Sequence, residues 1–104
     1  MTRVSVSKTA QRDLQLIRDY IRDELCNPIA AVRIMRALKK SVQSLATFSG
    51  RGRPLDALLS VHTEYRYLVC EGYCIFYLET EEQVVVVRIL HQRQDCLRAL
   101  LDQE

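Results

Sequence analysis

The sequence predicts an α+β fold in the order β-α-α-β-β-β-α: an antiparallel sheet packed against an N-terminal helical hairpin, closed by a short C-terminal helix. Three observations predict it. Apolar residues recur at helical spacing through residues 10–45. Between residues 65 and 90 the pattern changes to apolar runs separated only by tight polar turns. At 104 residues the chain has the size of one domain, 1–104, with room for a single core.

The elements follow in order. In "TRVSVS", Val4 and Val6 alternate with polar residues, as in a short half-buried strand. Ser7 or Thr9 then offers a side-chain oxygen to the first free amides of a helix. Ala10, Leu14, Ile17, Ile21 and Leu25 form the apolar face of that helix, and Arg12, Asp19, Arg22 and Asp23 its solvated face. Asn27 fits the N-cap of a second helix and Pro28 its first turn, where a missing N–H costs nothing. The second apolar stripe is Ile29, Val32, Met35, Leu38, Val42 and Leu45. So short a break between the helices predicts an antiparallel hairpin.

Residues 47–63 read as a loop, with "SGRGRP" as its punctuation and "LDALLSV" a candidate short helical turn. "EYRYLVCEGYCIFYLE" predicts two strands joined at Glu71-Gly72. Two registers are open there. A strict two-residue turn sets Arg66 opposite Tyr77, and a type I turn with a glycine bulge sets it opposite Phe76. Val84 to Leu90 is the last strand, and "QDCLRALLDQE" the closing helix. Strands joined by tight turns run antiparallel.

Composition excludes several classes. With 48% hydrophobic and 27% charged residues, the chain is globular rather than disordered. No apolar stretch approaches the roughly 20 residues of a membrane-spanning helix, and "MTRVSVSKTAQRD" lacks the apolar core of an export signal. The chain therefore reads as soluble and cytoplasmic, without a membrane partner. Cys26, Cys70, Cys74 and Cys96 have no metal-ligand spacing among themselves or with His62 and His91, so free buried thiols are expected, and no metal or cofactor. A net charge of +2 is low for a protein that lives on nucleic-acid phosphates, although local patches count for more than totals. The patch "GRGRP" reads first as a solvated loop.

Two residues in the last strand stand out. Arg88 interrupts an apolar run, in a set with Val84, Val86 and Leu90 that faces away from Val85, Val87 and Ile89. Its plain use is to lay its stem on the sheet while its head reaches an acid or a backbone carbonyl. Arg66 shares a face with Leu68 and Cys70. His91 closes the last strand, and no second histidine or carboxylate stands at a spacing that forms a dyad with it. There is no phosphate-binding glycine loop, GxSxG or HExxH. The residues by themselves give a domain with an arginine-bearing sheet face, not a reaction.

Taken together, "VVVVRILHQRQD", the preceding "YRYLVCEGYCIFYLE" and the "AAVRIMRALKKSVQSLA" helix resemble the RelE/ParE superfamily of type II toxin–antitoxin toxins, the ParE branch especially. The resemblance covers almost the whole chain. It implies a small cytoplasmic toxin neutralised by a ParD-like antitoxin whose C-terminal segment wraps around it. RelE-like members cleave mRNA on the ribosome: the 2′-hydroxyl attacks the adjacent phosphate while side chains move protons and arginines stabilise charge. ParE-like members are associated with poisoning DNA gyrase. This chain departs from the nuclease pattern: "YCIFY" has Cys74 where nuclease members commonly carry arginine, and a thiol cannot supply a guanidinium's charge or forked donors. "HQRQD" leaves Arg93 between two glutamines. If the chain were a nuclease, Arg66, Arg88, His91 and Arg93 would be its working set. If it acts by binding, Leu16, Tyr20, Arg66, Arg88 and Arg93 are the expected partner contacts. A third reading, a non-toxic relative kept for antitoxin binding, predicts normal growth when the chain is expressed alone.

Overall fold

A computed structural model describes residues 3–55 and 64–91. Strand β1 (Arg3–Val6) leads into helix α1 (Lys8–Asp19), whose end widens into a π-turn at Tyr20–Glu24. Helix α2 (Pro28–Ser44) returns, followed by a 3-10 turn at Ser49–Arg51 and a short strand β2 (Arg53–Pro54). Strands β3 (Tyr65–Cys70), β4 (Tyr73–Glu79) and β5 (Gln83–His91) complete one five-stranded sheet in the order β1-β5-β4-β3-β2. The expected closing helix and most of the expected "LDALLSV" turn lie outside the described residues.

Pairs β3–β4 and β4–β5 are antiparallel, as their tight connections require, and β2 is antiparallel to β3, whereas β1 lies parallel to β5 over Arg3↔Gln83 to Val6↔Val86. The sheet is thus mixed rather than wholly antiparallel. No tight turn constrains β1, since the helical hairpin and three strands separate it from β5 in the chain, and it fills the free edge of β5. At the β3–β4 turn, Cys70 faces Tyr73 and Arg66 faces Tyr77, the register of the two-residue turn. Glu71 accordingly takes φ +54° and Gly72 φ +82°, both in the left-handed region that such hairpin turns demand.

Both helices begin as their caps predict. The Ser7 hydroxyl accepts from the Ala10 amide at 3.0 Å, and the Asn27 side chain accepts from the Ala30 amide at 3.1 Å. Their apolar stripes differ from expectation at the tip of the hairpin. The π-turn, with the Leu25 amide bonded to the Tyr20 carbonyl at 3.1 Å, adds a residue to the turn and rotates Leu25 out to solvent. On α2 the buried face is Ala31, Leu38 and Val42, continued by Leu45, while Ile29 and Val32 are exposed.

The core has two parts, one on each face of the sheet. Under the helices, Ile17, Ile21, Leu38 and Leu45 pack on Ile75, Tyr77, Val84, Val86 and Ile89. The other face of the sheet carries a smaller cluster of Leu55, Tyr67, Cys74 and Phe76, with Leu55 fully buried. A β-bulge joins the two patterns. Phe76 pairs with Arg88 but Tyr77 with Val86, leaving Val87 as the extra residue. The expected set Val84, Val86, Arg88 and Leu90 is therefore split: Val84 and Val86 lie under the helices, Leu90 packs against the other cluster, and Ile89 takes the helix side in its place.

Candidate functional site

Where β1 ends, β5 loses its strand neighbour and α1 takes over. The Ser7 amide donates to the Val86 carbonyl at 2.9 Å and the Ser7 hydroxyl to the Val87 carbonyl at 3.0 Å. Six residues on, nearly two helical turns, Asp13 reaches the same edge. Its Oδ2 accepts from the Ile89 amide at 3.0 Å and from Arg88 Nε at 2.8 Å, and its Oδ1 from Arg88 Nη2 at 3.1 Å. Asp13 is 7% exposed. A forked guanidinium–carboxylate pair matches both partners' geometry and is the strongest arrangement such groups form. Arg88 thus does what an arginine in an apolar strand most simply does: its head meets an internal acid.

Above this pair lies a groove of about 700 Å³ lined by Leu16, Ile17 and Tyr20 of α1, by Tyr73 of β4, and by residues 88–91 of β5. Leu16 is 61% and Tyr20 53% exposed, although the core takes their helical neighbours. The His91 ring stands edge-on to Tyr73, with centroids 5.2 Å apart and planes at 85°. Burial holds the Tyr73 hydroxyl above its ordinary pKa, and Tyr20 adds to the same direction. The groove is apolar along its helix wall and polar at its floor, where the charges are already paired.

Of the residues singled out from sequence, Leu16, Tyr20, Arg88 and His91 come together around this groove. Arg66 does not. It sits on β3, and its Nη1 donates to the Gly52 carbonyl at 3.0 Å. That bond belongs to a clamp on the loop after α2: the Tyr77 hydroxyl accepts from the Gly52 amide at 2.9 Å and donates to the Ser49 carbonyl at 2.7 Å. A Cβ on Gly52 would stand 2.3 Å from the Tyr77 oxygen and 2.8 Å from the Tyr67 carbonyl, so glycine is required there by close approach. "GRGRP" is therefore a docked loop at its second glycine, which is buried. Arg93 lies outside the described residues.

Asp13, Tyr73 and Tyr77 were missed from sequence. Only Asp13 left a signal. It stands three residues after Ala10 and four before Ile17, so it shares the core-facing side of α1, where an unpaired carboxylate is costly. Cys74, in place of the arginine expected of nucleases, is buried beside Tyr67 and Phe76. Cys26, Cys70 and Cys74 are free thiols, and Cys26 is exposed rather than buried. Among the described residues no group of three His, Cys, Asp or Glu side chains could hold a metal ion, and no helix is long and apolar enough to cross a membrane.

A family model described as "ParE toxin of type II toxin-antitoxin system, parDE" matches residues 4–96, which includes every element of the groove. The chain belongs to this ParE toxin family. Toxin RelE2 of Caulobacter vibrioides is 36% identical over 91 residues, covering 88% of this chain and 96% of its own. Toxin ParE of Escherichia coli is 29% identical over 103 residues, covering 98% and 96%. Among solved structures, a chain of the chromosomal ParDE system of P. aeruginosa aligns with a TM-score of 0.73 at 21% identity, over 88% of this chain and 96% of that one. A chain of the E. coli DinJ–YafQ complex aligns with a TM-score of 0.52 at 15% identity, over 88% and 93%. These two alignments establish a shared RelE/ParE-like fold.

Proposed function

We propose that this ParE-family chain is a cytoplasmic toxin that acts by binding, with DNA gyrase as its target, and that a small ParD-like antitoxin neutralises it. The observation that carries the choice of binding over RNA cleavage is the pairing of Arg88 with Asp13. A ribonuclease of this fold needs free cationic donors to stabilise the charge that develops on a phosphate. Here Arg88 is committed to a carboxylate in two bonds, Arg66 is bonded to the Gly52 carbonyl, and a thiol stands at position 74.

The antitoxin reading is supported by the groove and by the company its relatives keep, a ParDE system and a DinJ–YafQ complex. An amphipathic segment laid between α1 and the end of β5 would cover Leu16 and Tyr20, the apolar anchors that such a helix-in-groove contact needs. Arg88 then supports the floor of that contact from below, with its charge held by Asp13.

The test is a plasmid assay with purified protein, gyrase and ATP, scoring linear DNA trapped after detergent and protease. Linear product that disappears after preincubation with the antitoxin is expected. Intact plasmid together with cut mRNA in a translating extract would overturn the binding reading in favour of a ribosome-dependent nuclease. Normal growth on expression without antitoxin would leave only the non-toxic relative.

A further inference from the structure

We infer that the outer face of α2 is a docking surface for the phosphate backbone of duplex nucleic acid, separate from the groove. Helix α2 carries Arg33, Arg36, Lys39 and Lys40 and no acidic residue. All four cations are exposed. At 3.6 residues per turn they fall within about 120° of one another, on the side turned away from the buried Ala31, Leu38 and Val42. Only Arg33 has an acid partner among the described residues, an exposed ion pair to Glu71 at 3.0 Å. At the far end of the row Arg51 donates to the Ser44 hydroxyl and adds a fifth exposed cation.

A solvated helix face normally mixes its charges, and α1 shows it. There Arg18 pairs with Asp19, and Arg22 with both Asp19 and Asp23, which neutralises the outer face. The hydrogen bond from Arg22, with its charge, holds the Asp23 carboxyl below its ordinary range. Nor does the helix dipole account for the cations of α2, because its effect is confined to the last turn and none of the four stands there. Arg33 to Lys40 spans about 10 Å of helix axis, over which one strand of B-DNA presents about three phosphates. A row of alternating-sign charges would be repelled as often as attracted by such a strand; this row is attracted along its whole length. The net charge of +2 understates the surface because the acids are concentrated elsewhere, six of them in the stretches 19–24 and 79–82.

The measurement is fluorescence anisotropy of a labelled DNA duplex of about two helical turns with the purified protein alone, titrated between about 50 and 200 mM salt. It contains no gyrase, so its outcome is independent of the proposed target. Three phosphate contacts predict a log–log salt slope of about −2.7, and the double variant Arg36→Gln, Lys40→Gln about −0.9, with affinity at least about tenfold lower at low salt. The matched control Arg12→Gln, Arg18→Gln on α1 is expected to keep the parent slope. A parent slope near zero, an α2 variant that binds like the parent, or an equal loss in the α1 control would each overturn the assignment. Circular dichroism on both variants shows that the helices are retained, since all four positions are exposed.

Discussion

Removing the Asp13 carboxylate leaves Arg88 charged and largely buried, and strips the Ile89 amide of its acceptor. Breaking a buried pair from one side costs about 3–5 kcal/mol, most of it the desolvated charge left behind. We expect Asp13→Ala to lower unfolding stability by about 3 kcal/mol or more, read as a lower urea midpoint at unchanged slope. Arg88→Met should cost less, because Asp13 keeps the Ile89 amide as a donor. The double variant Asp13→Ala, Arg88→Met is expected to lose less than the sum of the two single losses, and a strictly additive result would show that the pair is not coupled. At this scale the sequence was half legible. An arginine inside an apolar strand announces a partner, but the partner lies 75 positions earlier. The acid could be found only by noticing that position 13 falls on the core side of α1. Arg66 misled for a related reason: a cation in a strand looks available until the loop carbonyl that holds it is seen. Gly52→Ala tests that clamp. The added Cβ meets the Tyr77 hydroxyl and the Tyr67 backbone, so about 2 kcal/mol of destabilisation is expected, with β2 released from β3.

At the scale of elements, the two helices and three consecutive strands were readable because their signals are local: caps, period and tight turns. What could not be read depended on a distant neighbour or a one-residue irregularity. The π-turn at Tyr20–Glu24 turns Leu25 outward, and the bulge at Val87 moves Arg88 off the face of Val84 and Val86. Strict periodicity sees neither, since each inserts a single residue into an otherwise regular pattern. The β3–β4 turn gives an element-scale prediction. Glu71 occupies a left-handed conformation at about 1 kcal/mol of strain, while its exposed ion pair with Arg33 contributes only a few tenths. Strain outweighs the pair. Glu71→Asn, which supplies the Asn-Gly dipeptide favoured by this turn, is therefore expected to stabilise the protein by about 0.5 kcal/mol in urea unfolding. Equal or lower stability would mean that the link to α2 matters more than the turn.

Across the whole molecule, the parallel placement of β1 against β5 was beyond local reading, because nothing in "TRVSVS" names its partner. It was the free edge of β5, shared between β1 and Asp13, that brought the ends of the described chain together. The same long-range closure depends on Tyr77, fully buried, which ties the loop after α2 to the central strand through its hydroxyl. Burial pushes the Tyr77 pKa above its ordinary 10.0, partly opposed by the Gly52 amide and by Arg66, and burial acts in the same direction on Tyr73. A group whose folded-state pKa is raised releases its proton more readily when unfolded. Its contribution to stability is therefore complete below about pH 10 and is lost as pH rises through the higher folded value. The loss has a structural reading as well, since a phenolate cannot donate to the Ser49 carbonyl. Thermal unfolding should accordingly hold level through mildly alkaline solution and fall steeply above pH 10. Tyr77→Phe removes two hydrogen bonds and leaves the Gly52 amide buried without an acceptor, at about 2 kcal/mol near neutrality. Yet it also removes one of the two tyrosines whose pKa burial raises among the described residues, so its alkaline decline should be shallower than the parent's. Tyr73→Phe tests the other tyrosine: it lines the groove rather than holding the clamp, so neutral stability should change little while the alkaline slope again diminishes. If both variants declined as steeply as the parent, alkaline unfolding would have to come from groups other than these tyrosines.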